Sequence, residues 1–304
     1  MTVEELVREL AALPWGQDGV PAPLDALLGP VHRRRADGGS ARLAFQLLGA
    51  LALSGWSVRM DLQAALHALR GTDAGSGSYI RAWRRLADAR LYETARARFG
   101  ARPVVLARLT PFGRATLQAA GVTPVLAEWE EIEARHRRAA GGEQFPHTAA
   151  ICMFLHHARV RGFATFACPL APLAGAEPDA LIRRGELDTY VEIQRRGGAV
   201  WRRARKWRRQ YELQGFAAIC ASSPALAREL AREAQVAQVP YGVITDLVTL
   251  ARSAPHALWT HYWASLHSPL QPVTDSAEPA FLAAINGTAF SAAIFGVPTE
   301  VARG

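Results

Sequence analysis

Glu177-Pro178-Asp179-Ala180 and, shortly after it, Tyr190-Val191-Glu192-Ile193-Gln194 are the stretch whose reading decides the fold of this chain. The first segment leads into Ala180-Leu181-Ile182 and the second is apolar at alternate positions, so both read as strands. Strand side chains point alternately to opposite faces, which puts Glu192 and Gln194 on one face with Tyr190 and turns Val191 and Ile193 towards a core. Asp179 stands at the entry of the preceding strand. A hard divalent cation such as Mg²⁺ takes oxygen ligands and keeps several waters. Two carboxylates, Asp179 and Glu192, with a backbone carbonyl meet that demand and leave positions for water and a phosphate oxygen. The same residues also fit a plain surface turn followed by an amphipathic strand, because motifs this short recur by chance.

Downstream, residues 199–213 read as a helix. Val200, Ala204, Trp207 and Tyr211 form an apolar stripe at helical spacing, and Arg202, Arg205, Lys206 and Arg209 lie on the other side. Lys206 is the one lysine among 35 Lys and Arg residues. A helix behind the Glu192 strand can bring Lys206 or Arg202 to a phosphate. The bland alternative for most of these arginines is a solvated basic face. Residues 215–220 read as a buried strand and 224–236 as another helix.

Length and composition bound the rest. A chain of 304 residues with 50% hydrophobic residues suits about two domains, each with a real core. No apolar run reaches the roughly 18 residues of a membrane span, and the acidic start Met1-Thr2-Val3-Glu4-Glu5 lacks a signal-peptide core, so a cytoplasmic location is expected. Cys152, Cys168 and Cys220 are dispersed in apolar settings and read as buried thiols. His156-His157 reads as a pair on a helix surface. The formal charge of +8 and a pI near 10.1 favour a polyanionic partner, of which nucleic acid is the commonest.

Residues 1–39 combine a short amphipathic start with Arg33-Arg34-Arg35 and read as an arm or an extension packed on the next unit. A helix is expected over 41–53 with Leu43, Leu47, Leu48 and Leu51 inward. A second follows, capped by Asp61, with Leu62, Ala65, Leu66 and Leu69 inward. A third, capped by Ser78, buries Ile80, Trp83 and Leu86 and shows Tyr79, Arg81, Arg84 and Arg85. Tyr92–Phe99 and Val104–Leu109 flank a Gly-Ala-Arg-Pro turn and read as a hairpin. Thr110-Pro111 caps a closing helix with proline in its favoured first position. Residues 122–140 are expected to continue as a Glu- and Arg-rich helix, a connector or a dimer element. The best domain boundary falls at residues 140–144. The second domain opens on His147 and a helix bearing Ile151, Phe154, Leu155 and Ala158, followed by a strand over Phe163–Pro169. On this helix only His147 is placed to approach the acidic pair, and a lone His at a helix start is more often a cap or packing residue.

Three helices, a hairpin and a helix, with the phrase Leu109-Thr110-Pro111-Phe112-Gly113-Arg114, resemble winged helix-turn-helix domains over residues 40–121. Pro178-Asp179 and Glu192-Ile193-Gln194 resemble the PD-(D/E)xK nuclease superfamily, with Gln194 standing where that motif has Lys. The whole order over residues 40–236 resembles the replication-relaxation family of bacterial plasmids and mobile elements. That resemblance implies a mostly-α winged helix followed by a restriction-endonuclease-like α/β domain over 146–239, with 122–145 as connector and linker and 240–304 as an extension. In its terms Tyr79, Arg81, Arg84 and Arg85 would face DNA, with Arg96, Arg98 and Arg102 on the wing. Asp179 and Glu192 would hold Mg²⁺ or Mn²⁺, Gln194 would orient water, and Lys206 or Arg202 would stabilise the developing charge. The implied function is a metal-dependent DNA endonuclease acting on plasmid or mobile-element DNA. The alternatives are an inactive DNA-binding factor for replication or copy control, and a docking subunit of a larger complex.

Overall fold

The computed structural model describes residues 1–13, 24, 27–28, 38–70, 76–99, 102–136, 144–196, 200–252 and 258–273. The chain divides into two compact units, one of Met1–Arg98 and Pro103–Gln144, the other of Phe99–Arg102 and Phe145–Gly304. Arg33-Arg34-Arg35 and the alanine-rich stretch 277–295 lie outside the described residues.

In the first unit α1 (Val3–Ala12) opens on a capping box: the Thr2 hydroxyl accepts from the Glu5 N–H, and the Glu5 carboxylate accepts from the Thr2 N–H. Leu6 and Leu10, one turn apart, are buried in the same core as α2 (Gly38–Ser54) and α3 (Arg59–Arg70), so the start of the chain is packed. Leu43, Leu47, Leu48 and Leu51 of α2 are buried as their spacing predicts. α3 begins two residues before Asp61, which sits buried in the first turn and is not the cap.

α4 (Ser76–Asp88) departs more from expectation. Tyr79, Ala82, Trp83 and Leu86 are its buried residues, and Ile80 is 58% exposed. The stripe i, i+3, i+4, i+7 begins at Tyr79, and Ile80 falls one step round the helix. Trp83 is core: its ring packs 4.9 Å from that of Tyr92, with the Arg59 guanidinium 4.4 Å from the ring centre.

β1 (Tyr92–Phe99) and β2 (Arg102–Leu109) form a two-stranded sheet. α5 (Pro111–Ala119) then starts at a tight corner. The Thr110 hydroxyl accepts from the Gly113 N–H (2.9 Å) and donates to the Arg90 carbonyl (2.6 Å). Gly113 lies so close to β1 that an added Cβ would stand 2.0 Å from the Leu91 carbonyl oxygen. Arg114 donates to the Val125 carbonyl and pairs with Glu130. The connector starts later than expected: among the described residues helix α6 runs from Glu128 to His136. Residues 122–127 are not helical; the Val125 N–H bonds Ala52 O and the Glu128 N–H bonds Gly55 O, which uses those donors outside any helix.

The second unit is a mixed α/β structure. After α7 (Gln144–Val160) come β3 (Ala164–Ala167), β4 (Ala180–Arg184), β5 (Leu187–Gln194), α8 (Val200–Gln214), β6 (Ala217–Ala221), α9 (Pro224–Val236) and β7 (Gly242–Asp246). The short α10 (Leu247–Leu250), β8 (His261–Trp263) and β9 (Gln271–Pro272) complete it. The sheet order is β3-β4-β5-β6-β7-β8-β9, antiparallel from β3 to β5, parallel from β5 to β7 and antiparallel again to β9. The sheet thus runs past residue 239 into the segment expected to be an extension. Gly242 is required there, since a Cβ would meet the Trp263 ring at 2.1 Å. Ile151, Phe154, Leu155 and Ala158 of α7 are buried as expected. His156 and His157 are buried as well, at 6% and 7% exposure, not on the surface. Among the described residues no helix is long and apolar enough to cross a membrane.

Two glutamines fix α8 against the sheet. The β5–β6 ladder spans only Glu192↔Ile219 to Gln194↔Ala221. Before it, Gln210 donates to the carbonyls of Tyr190 (2.8 Å) and Ala218 (3.0 Å) and accepts from the Ala218 N–H (3.1 Å). Gln214 accepts from the Tyr190 N–H (2.8 Å). Buried backbone groups must find partners, and here side chains from α8 stand in for the missing ladder. Trp207, fully buried, and Arg203, paired with Glu233, hold the same helix down beside α9. Val200, expected on the apolar stripe, is 53% exposed.

Candidate metal centre

Register brings the two acids together. β4 and β5 pair antiparallel with Ala180 opposite Val191. One step further, Asp179 and Glu192 come opposite each other, and the Asp179 N–H donates to the Val191 carbonyl (3.1 Å). Opposed residues of an antiparallel pair present their side chains on the same face. Asp179 Oδ2 also accepts the Ile193 N–H at 2.8 Å, which anchors the aspartate at the strand entry. On its other side the Cys168 N–H donates to Asp179 O. Both acids are buried, Asp179 to 3% and Glu192 to 4% exposure.

Two bases meet them. Lys206 Nζ lies 2.8 Å from Glu192 Oε2. It stands one helical turn before Gln210, so the glutamine's bonds to both strands also set the reach of the lysine. His147, in the first turn of α7, places Nε2 3.4 Å from Asp179 Oδ1.

The titration behaviour of the two acids diverges. Burial alone would raise the Asp179 carboxyl, but His147, Lys206 and the Ile193 N–H outweigh it and hold the group well below the usual carboxylate range. Burial, reinforced by the charge of Asp179, pushes Glu192 up to about 7 against the pull of Lys206 and His147. Two like charges desolvated side by side remain under-compensated even with a lysine at 2.8 Å. Carboxylate oxygens such as those of Asp179 and Glu192 are donors that a hard divalent cation can use.

Other expected site residues fall in different places. Gln194 shares the face of Glu192 by alternation, at the last step of β5, and its carbonyl accepts from the Ser222 N–H. Arg202 is not against the acids; its guanidinium stacks 5.0 Å from the ring centre of exposed Trp201. In the first unit Arg81 and Arg84 are exposed on α4, and Arg96 and Arg98 are exposed on one face of β1. Tyr79 is not on that surface: it is buried, with its ring 5.0 Å from that of His67. Arg85 is half-buried and donates to the Leu28 carbonyl at 2.9 Å, which removes it from a free basic face. The Arg102 side chain lies outside the described residues.

Sequence reading missed the roles of Gln210 and Gln214. Their signal was present, because a glutamine one turn after Lys206 on a face shared with Trp207 has to bury its amide against something. Comparison of the chain with family models, curated proteins and solved structures finds no match.

Proposed function

We propose that the second unit is a metal-dependent nuclease-like domain of the PD-(D/E)xK kind and that the first is a winged helix that holds DNA. The observation that carries this is the buried, opposed pair Asp179 and Glu192 with Lys206 on Glu192. Asp179 and Glu192 would hold Mg²⁺ or Mn²⁺, which when bound neutralises charge at a phosphate and lowers the pKa of water. Asp179 is kept ionised by His147, Lys206 and the Ile193 N–H and so stays an oxygen donor across the physiological range. Lys206, on the helix behind β5, supplies the positive charge that the motif ordinarily takes from the position of Gln194. Its side chain is 46% exposed, which leaves it room to move from Glu192 to an arriving phosphate. Gln194, on the same face, offers an amide to orient water. Arg81 and Arg84 on α4, with Arg96 and Arg98 on β1, would contact the backbone of a bound duplex. The sequence resemblance to the replication-relaxation proteins supports this reading.

The test is nicking of supercoiled plasmid in Mg²⁺ or Mn²⁺. The Asp179→Ala, Glu192→Ala double variant should lose at least about 10³-fold of the activity, as removal of essential charge-stabilising groups does. Equal nicking by both proteins rules out this site.

A second reading is a DNA-binding factor that no longer cuts. The specific observation in its favour is Gln194 in place of lysine, with Lys206 engaged by Glu192. On that reading wild type nicks no plasmid, Glu192→Ala leaves DNA affinity unchanged, and Arg84→Ala weakens it with a reduced salt dependence.

A further inference from the structure

The solvent face of α8 is built for more than its lysine. Arg202, Arg205, Lys206 and Arg209 stand at i, i+3, i+4 and i+7 and form one continuous basic stripe. Lys206 ties the middle of that stripe to Glu192. Beside its start lies Trp201, 65% exposed, five residues or about 7.5 Å of helix axis before Lys206. The other two tryptophans tied to this part of the fold, Trp207 and Trp263, are fully buried. Trp201 therefore contributes little to the core, and the Arg202 guanidinium already lies over its ring. Among the described residues neither Arg202 nor Arg205 has a carboxylate within ion-pair distance, whereas Arg203 is bound to Glu233 and Arg209 to Glu212.

An exposed indole flanked by uncompensated guanidinium groups matches the chemistry of an unpaired nucleotide. Its base has a π-face to stack and its phosphate a negative charge to pair. A duplex hides its base faces and offers only the phosphates. We propose that Trp201, Arg202 and Arg205 form a stacking platform for one unpaired nucleotide, so that the second unit acts on a single strand or a frayed end, led along α8 to Asp179 and Glu192. This rests on the nuclease reading for its second half only; the platform itself is a binding claim.

The experiment measures binding of the full chain in EDTA by fluorescence anisotropy. Three probes are labelled alike: a twelve-nucleotide oligothymidine, an abasic strand of equal phosphate count, and a blunt duplex. Trp201→Ala should weaken oligothymidine binding at least about fivefold and leave the abasic strand and the duplex within about twofold, as loss of one stacked base does. Trp201→Leu should behave like Ala, and Trp201→Phe should recover most of the affinity, since only an aromatic face stacks. Oligothymidine affinity that is equal in wild type, Trp201→Ala and Trp201→Leu overturns the platform, as does an equal loss on all three probes. The outcome is separable from the nuclease reading because no metal is present. If Asp179→Ala, Glu192→Ala nicks plasmid like wild type while the Trp201 dependence persists, the catalytic assignment falls and the platform stands.

Discussion

Two motif-like places in this molecule put their polar residues to different use. At the Thr110–Arg114 corner of the first unit every polar group has a structural task. Thr110 caps α5 and ties down Arg90, Gly113 admits the Leu91 carbonyl, and Arg114 joins α5 to Val125 and Glu130. The local architecture accounts for Thr110, Gly113 and Arg114, so these residues alone say nothing about a ligand. At the Asp179–Glu192 row of the second unit the acids have backbone and side-chain partners, yet burial, reinforced by the charge of Asp179, disfavours an ionised Glu192. Hydrogen bonding and packing account for Thr110, Gly113 and Arg114 at the first place. The second keeps an electrostatic cost at Glu192 that packing does not remove.

The comparison breaks first at Gly113. A methyl group there meets backbone that cannot yield, so Gly113→Ala should destabilise the first unit by about 3 kcal/mol or more, seen in the urea midpoint. If it is tolerated, the corner is looser than described and its sequence needs another explanation.

The acidic row should respond in the opposite sense. Glu192 has a folded-state pKa raised from 4.5 to about 7, so the folded chain binds its proton more tightly than the unfolded chain does. Stability contributed by that proton is full below about pH 4.5 and is lost as pH rises to about 7. Asp179, shifted the other way, loses its contribution only as pH falls below the ordinary aspartate range. Glu192→Gln in EDTA should therefore gain on wild type between pH 5 and pH 8, by about 1–3 kcal/mol. A difference that does not change with pH would mean that Glu192 is an ordinary ion-pair partner of Lys206.

The smallest effect is at the cap. Thr110→Ala should cost about 1–2 kcal/mol in the same urea titration, independently of pH and divalent metal. A metal-dependent loss there would blur the distinction between the two places.

Sequence carried much of this and failed where contacts decide. The period-two pattern of Tyr190–Gln194 set its strand, whereas the register against β4 comes from the turn between Arg184 and Leu187, which the sequence reading did not use. Pro224–Val236 was legible to the residue because Ser223 and Pro224 mark its start. The face of α4 was misread by one position because Tyr79 and Ile80 are both good core residues, and only packing against Gln63 and His67 chooses between them. His156 and His157 looked like surface because they are polar; they are buried in α7 beside the similarly buried Arg159 and Arg161. Residues 122–127 follow Gly121 and contain Pro124, breakers that the expected continuous helix passed over; the Val125 N–H goes to Ala52 O instead. Within the site, Asp179, Glu192 and Lys206 were legible, because strand alternation and helix spacing place them. Gln210 and Gln214 were missed: the place of Gln210 beside Trp207 signalled a buried amide, but what the two amides bond depends on the β5–β6 ladder ending at Glu192.

The most direct measurement is a crystal of the full chain soaked in Mn²⁺ and recorded at the manganese edge. The account predicts one strong anomalous peak bridging the carboxylates of Asp179 and Glu192, with Lys206 displaced from Glu192, and its loss in Asp179→Ala. A peak elsewhere, or none while Lys206 keeps its bond to Glu192, would contradict it.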